Sequence, residues 1–193
     1  MGHLNVAAIV DQTYAEGPGL RTAIWVQGCL KRCKGCCNPG FLDIKPARIM
    51  SVEEVCHVIE SNHQSYGIKG VTLLGGEPFL QAVGLAEVAK YTQELGLSVM
   101  TFSGYRIDEL QDDKLVGASK LLQCSDLLVD GEYDYRKQET DRNWVGSSNQ
   151  NFHYTSERYD KSIEKDKSHI TNEWRISSDN IIKGNGLPFS IRK

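Results

Sequence analysis

Four of the six cysteines fall within nine positions: Cys29, Cys33, Cys36 and Cys37. Three of them are separated by three and then two residues in Cys29-Leu30-Lys31-Arg32-Cys33-Lys34-Gly35-Cys36. Thiolate sulfur is a soft ligand suited to iron–sulfur or zinc sites. On this spacing, three thiolates can converge on three corners of a cube of iron and sulfur. One iron then lacks a protein ligand, and an open coordination position is what a catalytic cluster needs. The alternative for the same loop is a structural zinc knuckle. Against it, no second Cys/His pair stands at zinc spacing, and the nearest histidine, His57, falls inside an expected helix. Adjacent side chains do not easily reach neighbouring corners of one cube, so Cys37 reads as packing beside the cluster. Cys56 and Cys124 stand apart among apolar neighbours and read as small buried hydrophobes. Thiols clustered in this way indicate a metal site in a reducing compartment, not a disulfide framework.

The elements that must hold this loop can be read from the apolar pattern. Thr22–Val26 is β-branched and aromatic, reads as a strand, and runs directly into Gly28 and the cysteines. Ser51-Val52-Glu53-Glu54 forms a capping box, opening a helix from Val52 to about His63. Gly70–Leu74 is a short apolar strand ending at Gly75-Gly76-Glu77-Pro78, and Phe79–Leu95 returns to helical spacing. Leu97–Phe102 is a further strand, followed by Ser103-Gly104-Tyr105. Ile107–Leu122 is helical with an interruption at Gly117, and Asp126–Val129 is a strand ending in Asp130-Gly131.

Short strands alternating with helices predict parallel βα units. A full eight-unit barrel needs about 250 residues, so the expected fold is α/β, an incomplete, open (β/α) barrel. In such sheets the chemistry belongs at the C-terminal ends of the strands. The cysteine loop, Gly-Gly-Glu-Pro, Ser-Gly-Tyr and Asp-Gly all fall there, which predicts one shared site. The chain reads as a single domain over 1–193. It has a polar loop region at about 132–169 and a closing hairpin at about 170–193, with its turn near Ser178-Asp179.

With 22 basic and 25 acidic side chains and a formal net charge of −3, the chain offers no broad basic field for a phosphate backbone. Nucleic acid is therefore not an implied partner. The N-terminus has no basic region followed by an apolar run, and no apolar stretch approaches bilayer-spanning length. The expectation is a cytoplasmic protein.

Cys29-x3-Cys33-x2-Cys36 is similar to the signature of the radical S-adenosylmethionine (SAM) superfamily. The fuller runs Glu16-Gly17-Pro18-Gly19-Leu20-Arg21-Thr22 and Gly28 through Asn38 resemble the activating enzymes of anaerobic (class III) ribonucleotide reductases. Gly75-Gly76-Glu77-Pro78, Val129-Asp130-Gly131-Glu132-Tyr133 and Trp144-Val145-Gly146-Ser147-Ser148-Asn149-Gln150 extend the resemblance, which covers about residues 14–150. Gly184-Asn185-Gly186 resembles the family's closing segment more loosely. Cys37 stands where relatives often carry an aromatic residue or histidine.

The resemblance implies a [4Fe–4S] cluster on Cys29, Cys33 and Cys36, with the methionyl amine and carboxylate of SAM on the fourth iron. It places Gly75, Gly76 and Glu77 at the methionyl amine. Paired glycines admit close backbone approach, and a carboxylate takes a charge-assisted bond from an ammonium. Ser103 and Tyr105 would line the SAM pocket, with ordinary packing the alternative for Tyr105. Asp130 would position SAM or the substrate backbone. Arg21 would orient a carboxylate or pair on the surface, Ser147–Gln150 would cap a helix or face a partner, and Trp144 would anchor a partner or the core. The implied activity is reductive SAM cleavage and abstraction of a glycine α-hydrogen on a glycyl radical enzyme, with a flavodoxin or ferredoxin as electron donor. No catalytic side chain is implied beyond those that hold the cluster and SAM. Two rivals stand beside this reading: a radical SAM enzyme acting on a small molecule or peptide, and a non-enzymatic zinc or redox-binding module.

Overall fold

A computed structural model describes residues 2–112, 114–176, 178 and 181–186. In chain order it contains β1 (His3–Thr13), β2 (Arg21–Val26), β3 (Arg48–Ser51), α1 (Val52–Tyr66), β4 (Gly70–Gly75) and α2 (Ala82–Glu94). There follow β5 (Ser98–Phe102), α3 (Ile107–Gln111), α4 (Ala118–Gln123), β6 (Leu127–Asp130), β7 (Asn151–Tyr154), β8 (Asn172–Ile176) and β9 (Ile182–Gly186). Seven strands form one sheet in the order β3-β1-β2-β4-β5-β6-β7, and β8 and β9 form a separate hairpin.

The central strands β2, β4, β5 and β6 are parallel. Their apolar side chains are buried on both faces, as expected for a parallel sheet. Ile24, Val26, Leu73, Val99 and Leu128 meet Val55 and Ile59 of α1, Leu85 and Val88 of α2, and Leu121 of α4. On the other face, Ala23, Trp25 and Leu74 form one cluster, and Met100, Leu127, Val129, Trp144 and Val145 form another. Trp144 is therefore a core residue.

The fold is mixed α/β with an open sheet, and its flanks depart from a purely parallel plan. Three strands that periodicity does not reveal, β1, β3 and β7, pair antiparallel at the margins. The register of β1 on β2 shifts between Val6 and Ala8 and again between Val10 and Thr13. Such irregularities erase the period-two alternation that identifies a strand. The expected helix from Phe79 begins as a 3₁₀ turn at Pro78–Gln81. The expected helix over 107–122 is two short ones, because Gly117 adopts φ +85° between them. A Cβ there would lie 2.9 Å from the Val83 nitrogen, so only glycine lets the turn settle on α2. The capping box of α1 is present: Glu54 N donates to Ser51 Oγ at 3.1 Å and Ser51 N to Glu54 Oε2 at 2.6 Å.

Arg21 neither orients a carboxylate nor lies at the surface. It is fully buried at the N-terminal ends of the parallel strands. Its guanidinium donates to Thr72 Oγ1 (2.8 Å), Pro18 O (3.0 Å), Ser98 Oγ (2.9 Å) and Val71 O (2.7 Å), and burial lowers its pKa. Removing it strands buried acceptors, so Arg21→Met is expected to lose about 3–5 kcal/mol of stability, measured by urea denaturation. A loss below about 1 kcal/mol would show that water replaces the guanidinium.

The hairpin docks on the β1–β2 loop: Asn185 Nδ2 donates to Thr13 Oγ1 at 2.9 Å, and Gly186 N to Glu16 Oε1 at 2.7 Å. Its turn falls largely outside the described residues.

Candidate functional site

The parallel strands end on one side of the sheet, and four loops gather there. β2 leads through Gly28 to Cys29, β4 to Gly75-Gly76-Glu77, β5 to Ser103-Gly104-Tyr105, and β6 to Asp130-Gly131-Glu132. Gly28 holds the first two together, since Glu77 N donates to Gly28 O at 2.8 Å. A Cβ on Gly76 would collide with the Gly28 carbonyl, and one on Gly75 would lie 2.6 Å from Val26 N. The paired glycines are thus required for the cysteine loop to sit against the end of β4.

Each thiol of the spaced triplet meets backbone N–H. Lys31 and Arg32 turn theirs toward Cys29, Tyr133 toward Cys33, and Asn38 N donates to Cys36 Sγ at 3.4 Å. Such donors stabilise thiolate and tune the potential of a cluster. Burial raises the pKa of Cys29 and Cys33. Cys36 is lowered to about 6, chiefly by a hydrogen bond from Cys37, while Cys37 is raised in consequence. Cys37 is exposed beside Cys36. Among the described residues, no three His, Cys, Asp or Glu side chains gather closely enough to hold a single metal ion. A cubane spreads its thiolates over three separate irons, wider than one tetrahedral ion does. The donor set of three N–H-supported thiols on one loop fits a cluster with an open corner.

Glu77 lies beneath them, 1% exposed. Its Oε1 accepts from Phe79 N (3.0 Å) and Ser103 Oγ (3.0 Å), and its Oε2 from Gly104 N (2.8 Å). Burial outweighs these donors and pushes its pKa up to about 7. No cation forms an ion pair with it among the described residues. Lys31 is the cation that acts on it, from beyond ion-pair distance, so the buried carboxylate has no direct partner of opposite charge. Ser103, 6% exposed, passes the network on by accepting from Tyr105 N at 3.0 Å.

Three contributors escape sequence reasoning. Lys31, from the cysteine loop, pairs with Glu109 of α3 (3.3 Å) and Glu132 (3.0 Å) and lies 4.1 Å from the centre of the Tyr105 ring. Tyr105 is thus the platform of a clamp across three loops. Lysine and glutamate are visible in the sequence, but only the fold brings positions 31, 109 and 132 together. A cavity of about 230 Å³ opens beside this clamp, between Gly104, Glu109, Gly131, Glu132 and Asn149. Glu132 Oε2 stands 4.0 Å from Cys33 Sγ, so the cavity adjoins the thiols. A larger cavity of about 400 Å³ lies at the opposite strand ends, among Lys69, Ser98, Arg158 and Tyr159, and contains no thiol.

Asp130 is buried but committed: its Oδ2 accepts from Ile107 N (2.7 Å) and lies 2.9 Å from His153 Nε2, and its Oδ1 accepts from Asn151 Nδ2 (3.1 Å). It fixes the start of α3 under Tyr105. The Ser147–Gln150 stretch buckles the loop after β6, through Asn149 Nδ2 to Glu132 O (2.8 Å) and Gln150 Nε2 to Gly131 O (3.3 Å).

A protein family described as a 4Fe-4S single cluster domain matches residues 15–153. The chain is a 4Fe-4S single cluster domain protein of the radical SAM superfamily. This radical SAM protein is 26% identical over 152 residues to the anaerobic ribonucleoside-triphosphate reductase-activating protein of Enterobacteria phage T4, covering 76% of this chain and 92% of that one. It is 28% identical to the protein of the same description from Vibrio cholerae, over 72% of this chain and 90% of that one. The pyruvate formate-lyase-activating enzyme of Staphylococcus epidermidis is 35% identical over 99 residues, covering half of this chain and 39% of that enzyme. No helix among the described residues of the radical SAM protein is long and apolar enough to cross a membrane.

Proposed function

We propose that this protein is a radical SAM activase that generates a glycyl radical on a partner enzyme, the best candidate being an anaerobic ribonucleotide reductase. The observation that carries this reading is the triplet Cys29, Cys33 and Cys36, each supplied with backbone N–H, above the buried carboxylate of Glu77, which no cation pairs directly among the described residues. The relatives named for reductase activation support that choice of partner. In this reading the architecture is the incomplete (β/α) barrel of radical SAM enzymes, whose open side a macromolecular substrate can cover.

The three thiolates hold a [4Fe–4S] cluster. Gly75, Gly76 and Glu77 receive the methionyl ammonium of SAM, with Glu77 as its countercharge. The cavity between Gly104 and Glu132 takes the nucleoside, and Ser103 and Tyr105, on either side of Gly104 in the chain, support that wall. Asp130 holds α3 and the Tyr105 platform in place. A bound cluster and SAM would supply the one-electron reductive chemistry needed to generate a radical able to abstract a glycine α-hydrogen. The protein's side chains transfer no proton in this scheme; they bind, orient and exclude water.

The test is an anaerobic mixture of reconstituted, reduced protein, SAM and purified anaerobic ribonucleoside-triphosphate reductase, followed by electron paramagnetic resonance. The expected result is a doublet from a carbon-centred glycyl radical, with methionine and 5′-deoxyadenosine formed alongside. SAM cleavage without any radical on the reductase would point to another substrate. A folded protein with one zinc and no cleavage would leave only the structural-module reading.

A further inference from the structure

We propose that the outer rim of the cysteine loop is the docking surface for a small acidic electron-carrier protein, seated on Arg32, Lys34, Arg136 and Lys137 around Tyr135. The inference rests on the cluster reading above and adds the surface through which its electron arrives.

The rim is cationic on a chain whose net charge is −3. Asp43 is shared by Arg32 (3.1 Å) and Lys45 (3.4 Å). Asp134 is likewise shared by Arg136 (2.9 Å) and Lys137 (4.0 Å). One carboxylate between two cations leaves positive charge over in each case. The Asp134 side chain is 17% exposed against 72% and 57% for its two cations, so the cations project and the carboxylate is sunk. Lys34 pairs with no carboxylate among the described residues. It reaches Tyr135, with Nζ 4.7 Å from the ring centre and 3.5 Å from the hydroxyl. Lys31, deeper in the clamp, has the reverse balance, with Glu109 and Glu132 to itself.

The rim also exposes apolar surface. Tyr135, flanked by Lys34 and Arg136, is 43% exposed, and Leu30 of the cysteine loop is 63% exposed. Exposed aromatic and aliphatic surface beside like charges is the make-up of a small, charge-steered encounter surface. It also lies directly over the thiols. Lys34 and Gly35 separate Cys33 from Cys36, and a Cβ on Gly35 would touch the Tyr133 ring at 3.4 Å and Tyr135 Cβ at 3.8 Å. A carrier resting on Tyr135 is one layer of residues from the ligand loop. Its reduced cofactor loses one electron and the cluster gains it; no bond or proton changes hands.

The experiment uses the full chain and a purified flavodoxin. Binding is measured by calorimetry at low and high salt, and cluster reduction by stopped-flow absorbance. Arg136→Glu/Lys137→Glu is compared with wild type and with Lys90→Glu/Lys120→Glu, an equal charge change elsewhere. Arg136→Gln/Lys137→Gln serves as the milder variant should reversal disturb the loop. The rim reversal is expected to weaken binding and slow reduction by about tenfold or more at low ionic strength and to flatten the salt dependence. The distant reversal should stay within about twofold. Reduction by photoreduced deazaflavin, and the SAM cleavage it drives, should be equal in all variants. Unaltered flavodoxin binding in both rim variants overturns the proposal, as does equal weakening by the distant pair. Loss of binding to the anaerobic reductase alone would assign the rim to that partner instead. Failure of deazaflavin to drive any cleavage by wild type would count against the cluster reading, separately from the binding contrast.

Discussion

Cys33→Ala is expected to remove the cluster and with it all SAM cleavage, while the fold survives. Cys33 lies on a loop outside the hydrophobic clusters that hold the sheet to its helices. Deleting its thiol therefore changes stability by no more than about 0.5 kcal/mol. Its chemical effect is far larger, because two remaining thiolates cannot anchor three irons of a cube. Iron and acid-labile sulfide per chain, measured after anaerobic reconstitution, should fall to background. 5′-Deoxyadenosine should fall below detection, with circular dichroism unchanged and the urea midpoint equal to that of wild type before reconstitution. Cys37→Ala is the informative companion. That thiol neighbours Cys36 and lies outside the proposed ligand set, so the variant should keep its iron and its cleavage activity. Full iron content in Cys33→Ala, or equal loss in Cys37→Ala, would mean that the ligand set has been drawn wrongly.

The central half of the fold was legible because its signals are local. Thr22–Val26, Gly70–Leu74 and Asp126–Val129 are apolar runs bounded by glycine or polar turns, and the structure has strands at all three. Ser51 and Glu54 announce a helix start through a box that spans four residues. The flanks were hidden for a different reason. β1 is bulged, β3 covers only Arg48–Ser51, and β7 sits within a polar stretch whose strand character depends on pairing with β6. The site divides in the same way. Loops at the strand ends could be assigned to one place from topology alone. The Lys31 clamp, the sunken Arg21 and the Ser103 and Gly104 donors to Glu77 depend on contacts between residues far apart in sequence. No spacing rule encodes those.

Glu77 is where that long-range network has its largest measurable consequence. Its folded pKa of about 7 stands above the ordinary 4.5 because burial penalises the charged form more than three donors favour it. The folded state therefore binds this proton more tightly than the unfolded chain does. Stability from the group is fully present below about pH 4.5 and declines as pH rises through 7. The size of the decline is about 3 kcal/mol at most, taking about 1.4 kcal/mol for each pH unit between the two values. Urea denaturation of wild type and Glu77→Gln at pH 5 and pH 8 measures it: wild type should lose up to that much relative to the variant over the interval. Parallel pH dependences would remove the unpaired carboxylate from the account. The same measurement with SAM present then tests what the carboxylate is for. An ammonium beside Glu77 favours the ionised form, so SAM should restore most of the stability that wild type loses at pH 8. In Glu77→Gln the ligand has no buried charge to neutralise, and its stabilising effect should be small and nearly the same at both pH values. On the proposed role of Glu77, the site would select by charge: a neutral analogue lacking the amine should show no such pH-dependent stabilisation of wild type.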